Sequence, residues 1–397
     1  MSQTRRDFLR LAGTAGAGAM LLPGATWAAA HAAAAQQDSK RRLVLIFLEG
    51  GNDGLNTLVP TSDDSYYKAR PELGLKGEGL VKLNDDFALH PSLGAWRGLF
   101  DEGALSVLQA VGYDRPDYSH FISRDIWHSG KRNNPKPNAG WLGAAADSQS
   151  SALLPPVALG VSEAPLLLKT QRSNGLTVGD MESFYVDRLP QMPEEMSQSG
   201  ALALIHQASS LAYETSNRLR AVAAKVPEGK HYPDSALADR LKLMARFARA
   251  DDGPQVMWTR LGGFDTHALQ LGAHASLLQQ LGEATAAFHN DLAVDGRDKN
   301  TMVLIYSEFG RRVAENGSAG TDHGAAAPMF AIGGGAKGGL IGKAPSLTDL
   351  DHGNLKAGID FRAVFSECLS DWLGWPAHDL FDGKFADGNA KAGLLKA

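Results

Sequence analysis

The sequence predicts an α/β protein, a mostly parallel sheet whose strands are joined by crossover helices. Three observations predict it. Continuous apolar runs of strand length recur along the chain, as strands buried on both faces require. Helical periodicity fills several of the gaps between them. Glycine outnumbers proline 44 to 18, which suits many tight strand-to-helix turns.

The fold begins late. Arg5 and Arg6, followed by Phe8 and Leu9, open a short apolar, glycine-rich stretch that ends in Ala-x-Ala options around residues 28–32. That is the charged, apolar and cleavage pattern of an export signal, and the twin arginine marks the Tat route. The apolar stretch is too short for a membrane span. Residues 1–32 are therefore expected to be removed, leaving an exported, periplasmic or secreted chain with no stable span and the Tat translocase as its partner in export. Residues 33–41 read as a flexible lead-in, and 42–397 as a single domain.

Leu43–Leu48 is the first buried strand, followed by runs at 104–112, 155–161, 255–263, 301–310 and 328–335. Leu278, Leu281, Thr285, Phe288 and Leu292 share one face of a helix between the fourth and fifth. Residues of about 195–250 are helical with no strand signal and read as a helical insertion or cap. A net charge of −5 leaves no basic excess for phosphate backbones, so nucleic-acid binding is not expected. The single cysteine, Cys368, cannot form an internal disulfide, and its apolar neighbours mark it as a buried thiol.

Polar clusters fall where strands end or one begins. Asp53 and Asn56 follow the first strand, and Ser119 and His120 the second. Asp265 and His267 follow the fourth strand, and Glu308 and Arg311 the fifth. Asp322 and His323 precede the last. Alone, each has an ordinary explanation: a turn, a helix cap or a surface ion pair. Together they fit ligand binding beyond the carboxyl ends of a parallel sheet. One or two divalent ions are expected. The imidazole-rich set Asp265, His267 and His323 suits zinc, and the carboxylates Asp53 and Glu308 suit Mg, Mn or Ca.

The segments "VLIFLEGGNDGLNTLVP", "YSHFISRDIW", "GGFDTHALQLGAH" and "IYSEFGRRVAENGSAGTDHGAAAPMFAIGGGAKGG", with "GIDFRAVFSECLSDWLG" near the end, resemble the Tat-exported family known as domain of unknown function 1501. The likeness spans about 40–397. That family is placed in the alkaline phosphatase and sulfatase superfamily. The resemblance implies a doubly wound, alkaline-phosphatase-like fold and a metal-dependent hydrolase of phosphate or sulfate esters, acting on a small-molecule, glycan or lipid ester. It also implies roles. Ser119 is the nucleophile, and Asp53, Asp265, His267, Glu308 and His323 are metal ligands. Asp322 orients His323. By its own chemistry, apart from the resemblance, Arg311 is expected to hold the substrate oxyanion bidentately, with Asn56 or His120 beside it. Phe309 stands where the superfamily has a histidine, and no sulfatase-type cysteine signature is present. A non-catalytic exported binding or assembly protein is the alternative. A serine hydrolase using Ser119 ranks last, because no Gly-x-Ser-x-Gly elbow surrounds it.

Overall fold

The computed structural model describes residues 40–134, 137–149, 154–170, 176–179, 200–229 and 231–396. The export signal and all but the end of the lead-in lie outside them. The strands are β1 (Arg42–Glu49), β2 (Leu58–Pro60), β3 (Val81–Lys82), β4 (Phe87–Leu89), β5 (Leu105–Gly112), β6 (Val157–Leu159), β7 (Leu176–Val178), β8 (Val256–Gly262), β9 (Thr301–Ser307), β10 (Ala327–Gly333), β11 (Gly339–Ile341) and β12 (Ile359–Asp360). The helices are α1 (Gly54–Thr57), α2 (Asp64–Ala69), α3 (Trp96–Asp101), α4 (His120–Ser129), α5 (Trp141–Asp147), α6 (Gly200–Lys225), α7 (Ala236–Arg249), α8 (Gln270–Ala293) and α9 (Phe361–Glu367).

Nine strands form the main sheet in the order β11-β5-β10-β9-β1-β8-β6-β7, with β12 beside β5; β2, β4 and β3 form a small separate sheet. Pairing is parallel throughout the main sheet except at β10, which runs antiparallel to both β5 and β9. The α/β, mostly parallel class is thus plain from the topology.

The apolar run of β1 serves two cores. Val44, Ile46 and Leu48 pack into one, with Trp96 of α3, Leu241 of α7 and Leu278 of α8. Leu43, Leu45 and Phe47 pack into the other, with Trp127 of α4, Trp141 of α5 and Phe365 of α9. Helices therefore cover both faces, which is the doubly wound arrangement. The expected face of α8 is buried along its length, Leu278 to Leu292. Cys368 is a free, fully buried thiol, and burial raises its pKa.

One sequence expectation changes. The helical stretch does not act as a cap: α7 sends Leu237, Leu241, Met244 and Phe247 into the core on one face of the sheet, as a crossover helix leading to β8. Residues 180–199 lie outside the described set. The sense of β10 matters more. The carboxyl ends of β1, β5, β8 and β9 lie along one edge of the sheet. Because β10 runs the other way, its beginning lies on that edge too. His323, ahead of a strand, is thereby brought level with residues that follow strands.

Candidate metal site

Four loops build the site. His120 opens α4 behind Ser119, which caps that helix with extended backbone but without a side-chain cap bond. Ser123 of α4 donates to the Glu308 carbonyl (2.6 Å), which ties the helix to the end of β9. Asp265 and His267 follow β8. His323 lies in a loop paired with the segment after β9 through a bridge between Arg311 and His323. Two glycines permit the crowding. A side chain on Gly50 would strike the Asp265 backbone nitrogen at 2.4 Å, and one on Gly51 would strike the Phe309 ring at 2.4 Å.

Three imidazoles converge on one oxygen. The Nε2 atoms of His120, His267 and His323 lie 3.3, 3.1 and 3.1 Å from Asp265 Oδ1. His267 and His323 bring their Nε2 atoms 2.9 Å apart. Among the described residues, His120, Asp265 and His323 form a mutually close group, with ligand atoms within 4.8 Å of one another. His267 joins through its contacts with Asp265 and His323. Phe309, buried, packs its ring 4.9 Å from His120 and 4.8 Å from His323, walling the cluster on the side where a further histidine was looked for.

Each imidazole has an oxygen behind it. His120 Nδ1 is 2.8 Å from Glu308 Oε1, His267 Nδ1 is 3.4 Å from Asp322 Oδ1, and His323 Nδ1 is 2.8 Å from the Tyr118 carbonyl. A carbonyl and an ionised carboxylate can only accept hydrogen bonds, so the proton of each neutral ring belongs on Nδ1. Three Nε2 lone pairs and a carboxylate oxygen then face one another, and His120 Nε2 is buried without a hydrogen-bond partner. A cation among them relieves that repulsion. Histidines whose second nitrogen is held by a carboxylate or carbonyl are the usual form of metal ligands. Tetrahedral zinc with bonds near 2.1 Å separates its ligand atoms by about 3.4 Å; the distances to Asp265 Oδ1 are close to this, while His267 lies outside the group whose ligand atoms are all within 4.8 Å of one another. The N₃O donor set fits zinc.

The electrostatics agree on Asp265. Burial alone would raise its pKa, but the hydrogen bond and the charge of Arg311, with the contacts to His323 and His120, outweigh it and hold the carboxyl well below the ordinary range. The hydrogen bond to Glu308 raises the His120 pKa, and burial lowers that of His323. The Asn316 hydrogen bond lowers Asp322's.

Several sequence expectations are corrected. Asp53 does not face the cluster. It is buried, and its Oδ2 accepts from Arg70 (2.6 Å) and from Gln270. Burial would raise the Asp53 pKa, but the charge and hydrogen bond of Arg70, with His274 and the Gln270 hydrogen bond, together outweigh it and lower the pKa instead. Glu308 stands behind His120 rather than beside a metal. Its Oε1 also accepts from the Gly50 amide (2.9 Å) and its Oε2 from Ser307 (2.9 Å). Neither carboxylate belongs to a three-ligand group among the described residues, so the oxygen-rich second site does not assemble. His120, read as substrate-binding, is in the ligand set. Arg311 cannot clamp an oxyanion, because its guanidinium is fully buried and spent. It donates to the carbonyls of Gly50, Gly51 (2.7 Å), Phe264 (2.9 Å) and Thr321 (2.9 Å), and to Asp265 Oδ1 (2.8 Å). Asn56 is buried and holds Leu73, Tyr66 and Arg70. Asp322 backs His267 rather than His323.

Sequence reasoning missed Arg70, Gln270 and His274, which enclose Asp53 and Asn52. His274 had a signal. It lies four residues before Leu278, on the apolar face of α8, and is buried as that position requires.

The profile of the family described as a protein of unknown function, DUF1501, matches residues 40–354, and the chain belongs to that family. The match stops short of the end, although residues beyond it, such as Phe361 and Phe365, are core. No curated protein matches the sequence. Similar solved structures include the C-terminal periplasmic domain of EcEptC from Escherichia coli in complex with Zn, at 10% identity and a TM-score of 0.35, covering 74% of this chain and 73% of that one. They also include the alkaline phosphatase of the Antarctic bacterium TAB5, at 12% and 0.32, covering 75% and 94%. A third is the PsFucS1 sulfatase of a Pseudoalteromonas species, at 12% and 0.38, covering 92% and 75%.

Proposed function

We propose that this protein is a Tat-exported, periplasmic hydrolase of phosphate or sulfate esters. It depends on one divalent ion, zinc by donor chemistry, held by His120, His267, His323 and Asp265. One observation carries the reading: three Nε2 atoms meet one carboxylate oxygen at 3.1 to 3.3 Å while all three Nδ1 atoms face acceptors. When bound, such an ion supplies Lewis acidity to the ester oxygen and a water of lowered pKa. Glu308, Asp322 and the Tyr118 carbonyl fix the tautomers. Arg311 keeps Asp265 ionised. Ser119 is the candidate nucleophile: it stands beside His120 at the positive end of α4, and its hydroxyl is not consumed by capping. Among the described residues no helix is long and apolar enough to cross a membrane.

The test is metal content of protein purified without chelator, with activity on a panel of phosphate and sulfate esters. About one zinc per chain and hydrolysis of an ester are expected. Hydrolysis that persists in both Ser119→Ala and His323→Ala overturns the mechanism.

One feature favours a second reading, a non-catalytic exported binding or assembly protein. Arg311 already neutralises Asp265 Oδ1 and lies 3.5 Å from His267 Nε2, and a guanidinium beside the site repels a second cation. A melting temperature indifferent to both EDTA and added zinc selects this reading.

A further inference from the structure

Six large apolar side chains are exposed among the described residues, and five of them belong to the chain around the cluster: Tyr118, Phe121, Ile122, Leu269 and Leu271. Single exposed apolar residues are ordinary on any surface. A concentration beside one polar point is not. Tyr118, Phe121 and Ile122 lie within two residues of His120, and Leu269 is two residues past His267. Consecutive Cα atoms are about 3.8 Å apart, so each of these four lies within about 8 Å of a cluster histidine along the backbone. Both histidines reach Asp265 Oδ1, at 3.3 and 3.1 Å, so the two segments that carry these apolar residues converge through their histidines on the same oxygen.

Leu269 adds an independent observation. It is 81% exposed. It holds a left-handed backbone at φ 48°, and it occupies the N-cap of α8 without a side-chain cap bond. Leucine is disfavoured on all three counts, whereas asparagine meets each of them. A residue kept against every local preference is expected at a functional surface.

We infer that the site takes an amphiphilic ester. Its charged head faces the His120–Asp265–His267–His323 cluster, and its alkyl or acyl chain lies over Phe121, Ile122, Leu269 and Leu271. The head group rests on the hydrolase reading; the chain rests on the rim alone.

The experiment is calorimetric titration of the zinc-loaded protein with methyl, butyl and octyl phosphate, each below its micellar concentration. Affinity rises about two- to fourfold per added methylene as the chain leaves water. Phe121→Ser with Ile122→Ser brings octyl phosphate down toward methyl phosphate with zinc content unchanged. Leu269→Asn weakens octyl phosphate and also raises the melting temperature. Equal affinity for all three phosphates in the wild type overturns the inference. So does a series unchanged in the rim variants, or a Leu269→Asn protein that melts lower and binds octyl phosphate as before. Self-association through the rim with no dependence on chain length also overturns it. A steep series with no ester hydrolysed leaves the rim standing and removes the hydrolase. Hydrolysis indifferent to chain length does the reverse.

Discussion

Two groups of aspartate and histidine sit at the same edge of the sheet, and they differ in what their polar atoms already touch. Around Asp265 the imidazoles turn their Nε2 atoms toward a half-exposed carboxylate. Around Asp53 every group is buried, and only Asp53 Oδ1 and Asn52 Nδ2 lack a hydrogen-bond partner among the described residues. Arg70 and Gln270 take one oxygen, and Asn52 Oδ1 meets Thr57 Oγ1 and His274 Nε2, both at 3.0 Å. The His274 ring in turn lies edge-on to His90, 5.9 Å between centroids. Residue types are alike in the two places. Both carboxylates meet a buried arginine; the one enclosed together with its arginine is structural, and the half-exposed one that also faces three imidazoles is open to a ligand.

The largest expected effect separates the groups by pH. Burial lowers the pKa of His90 and of His274 to about 4, against about 6.5 in an unfolded chain. Above 6.5 both states are neutral. Below it the unfolded chain takes up protons that the native state refuses, so stability is full above 6.5 and falls as pH drops toward 4. His128, lowered to about 3 by burial, acts in the same window. Denaturant titrations at pH 7 and pH 4.5 should differ by an amount on the order of several kcal/mol; equal midpoints would contradict the buried, neutral histidines.

Next comes Arg70→Met, which strands the buried Asp53 charge and should cost about 3–5 kcal/mol. The zinc affinity of whatever remains folded should be unaltered. A matching loss of zinc would merge the two groups and refute the division. His323→Ala or His120→Ala is the converse. Zinc affinity should drop by at least about a hundredfold, the upper range seen even for outer partners of a metal, while metal-free stability changes by less than about 1 kcal/mol. Competition against a chromogenic chelator measures it. Smallest is Glu308→Gln, which keeps the shape but weakens the hold on His120 Nδ1. A roughly tenfold to hundredfold loss of zinc affinity is expected, and no loss would mean that Glu308 serves only the Gly50 amide.

The division also marks how far sequence reaches. The runs that became β1, β5, β8 and β9 were legible because strands with both faces buried leave nothing but apolar residues, and the polar residues after them were legible as loops at one edge. Which loop residue touches which was not. His120 joins the ligand set and Glu308 stands behind it, against expectation, because a contact of 2.8 Å between residues 188 positions apart leaves no local trace. Arg70 sits at the carboxyl-terminal cap of a six-residue helix, with nothing nearby to announce a partner for Asp53. The reversed sense of β10, which carries His323 to the site, follows from its place between β5 and β9. Its own composition reads the same in either direction.

Arg311 fastens the loops after β1 and β8 and the one before β10 with a single side chain. In hydrogen exchange the amides of these three segments should open together, as one unit with one protection factor. The three loops would then flicker as a single event, and a metal lost from one would find all of them unlatched at once.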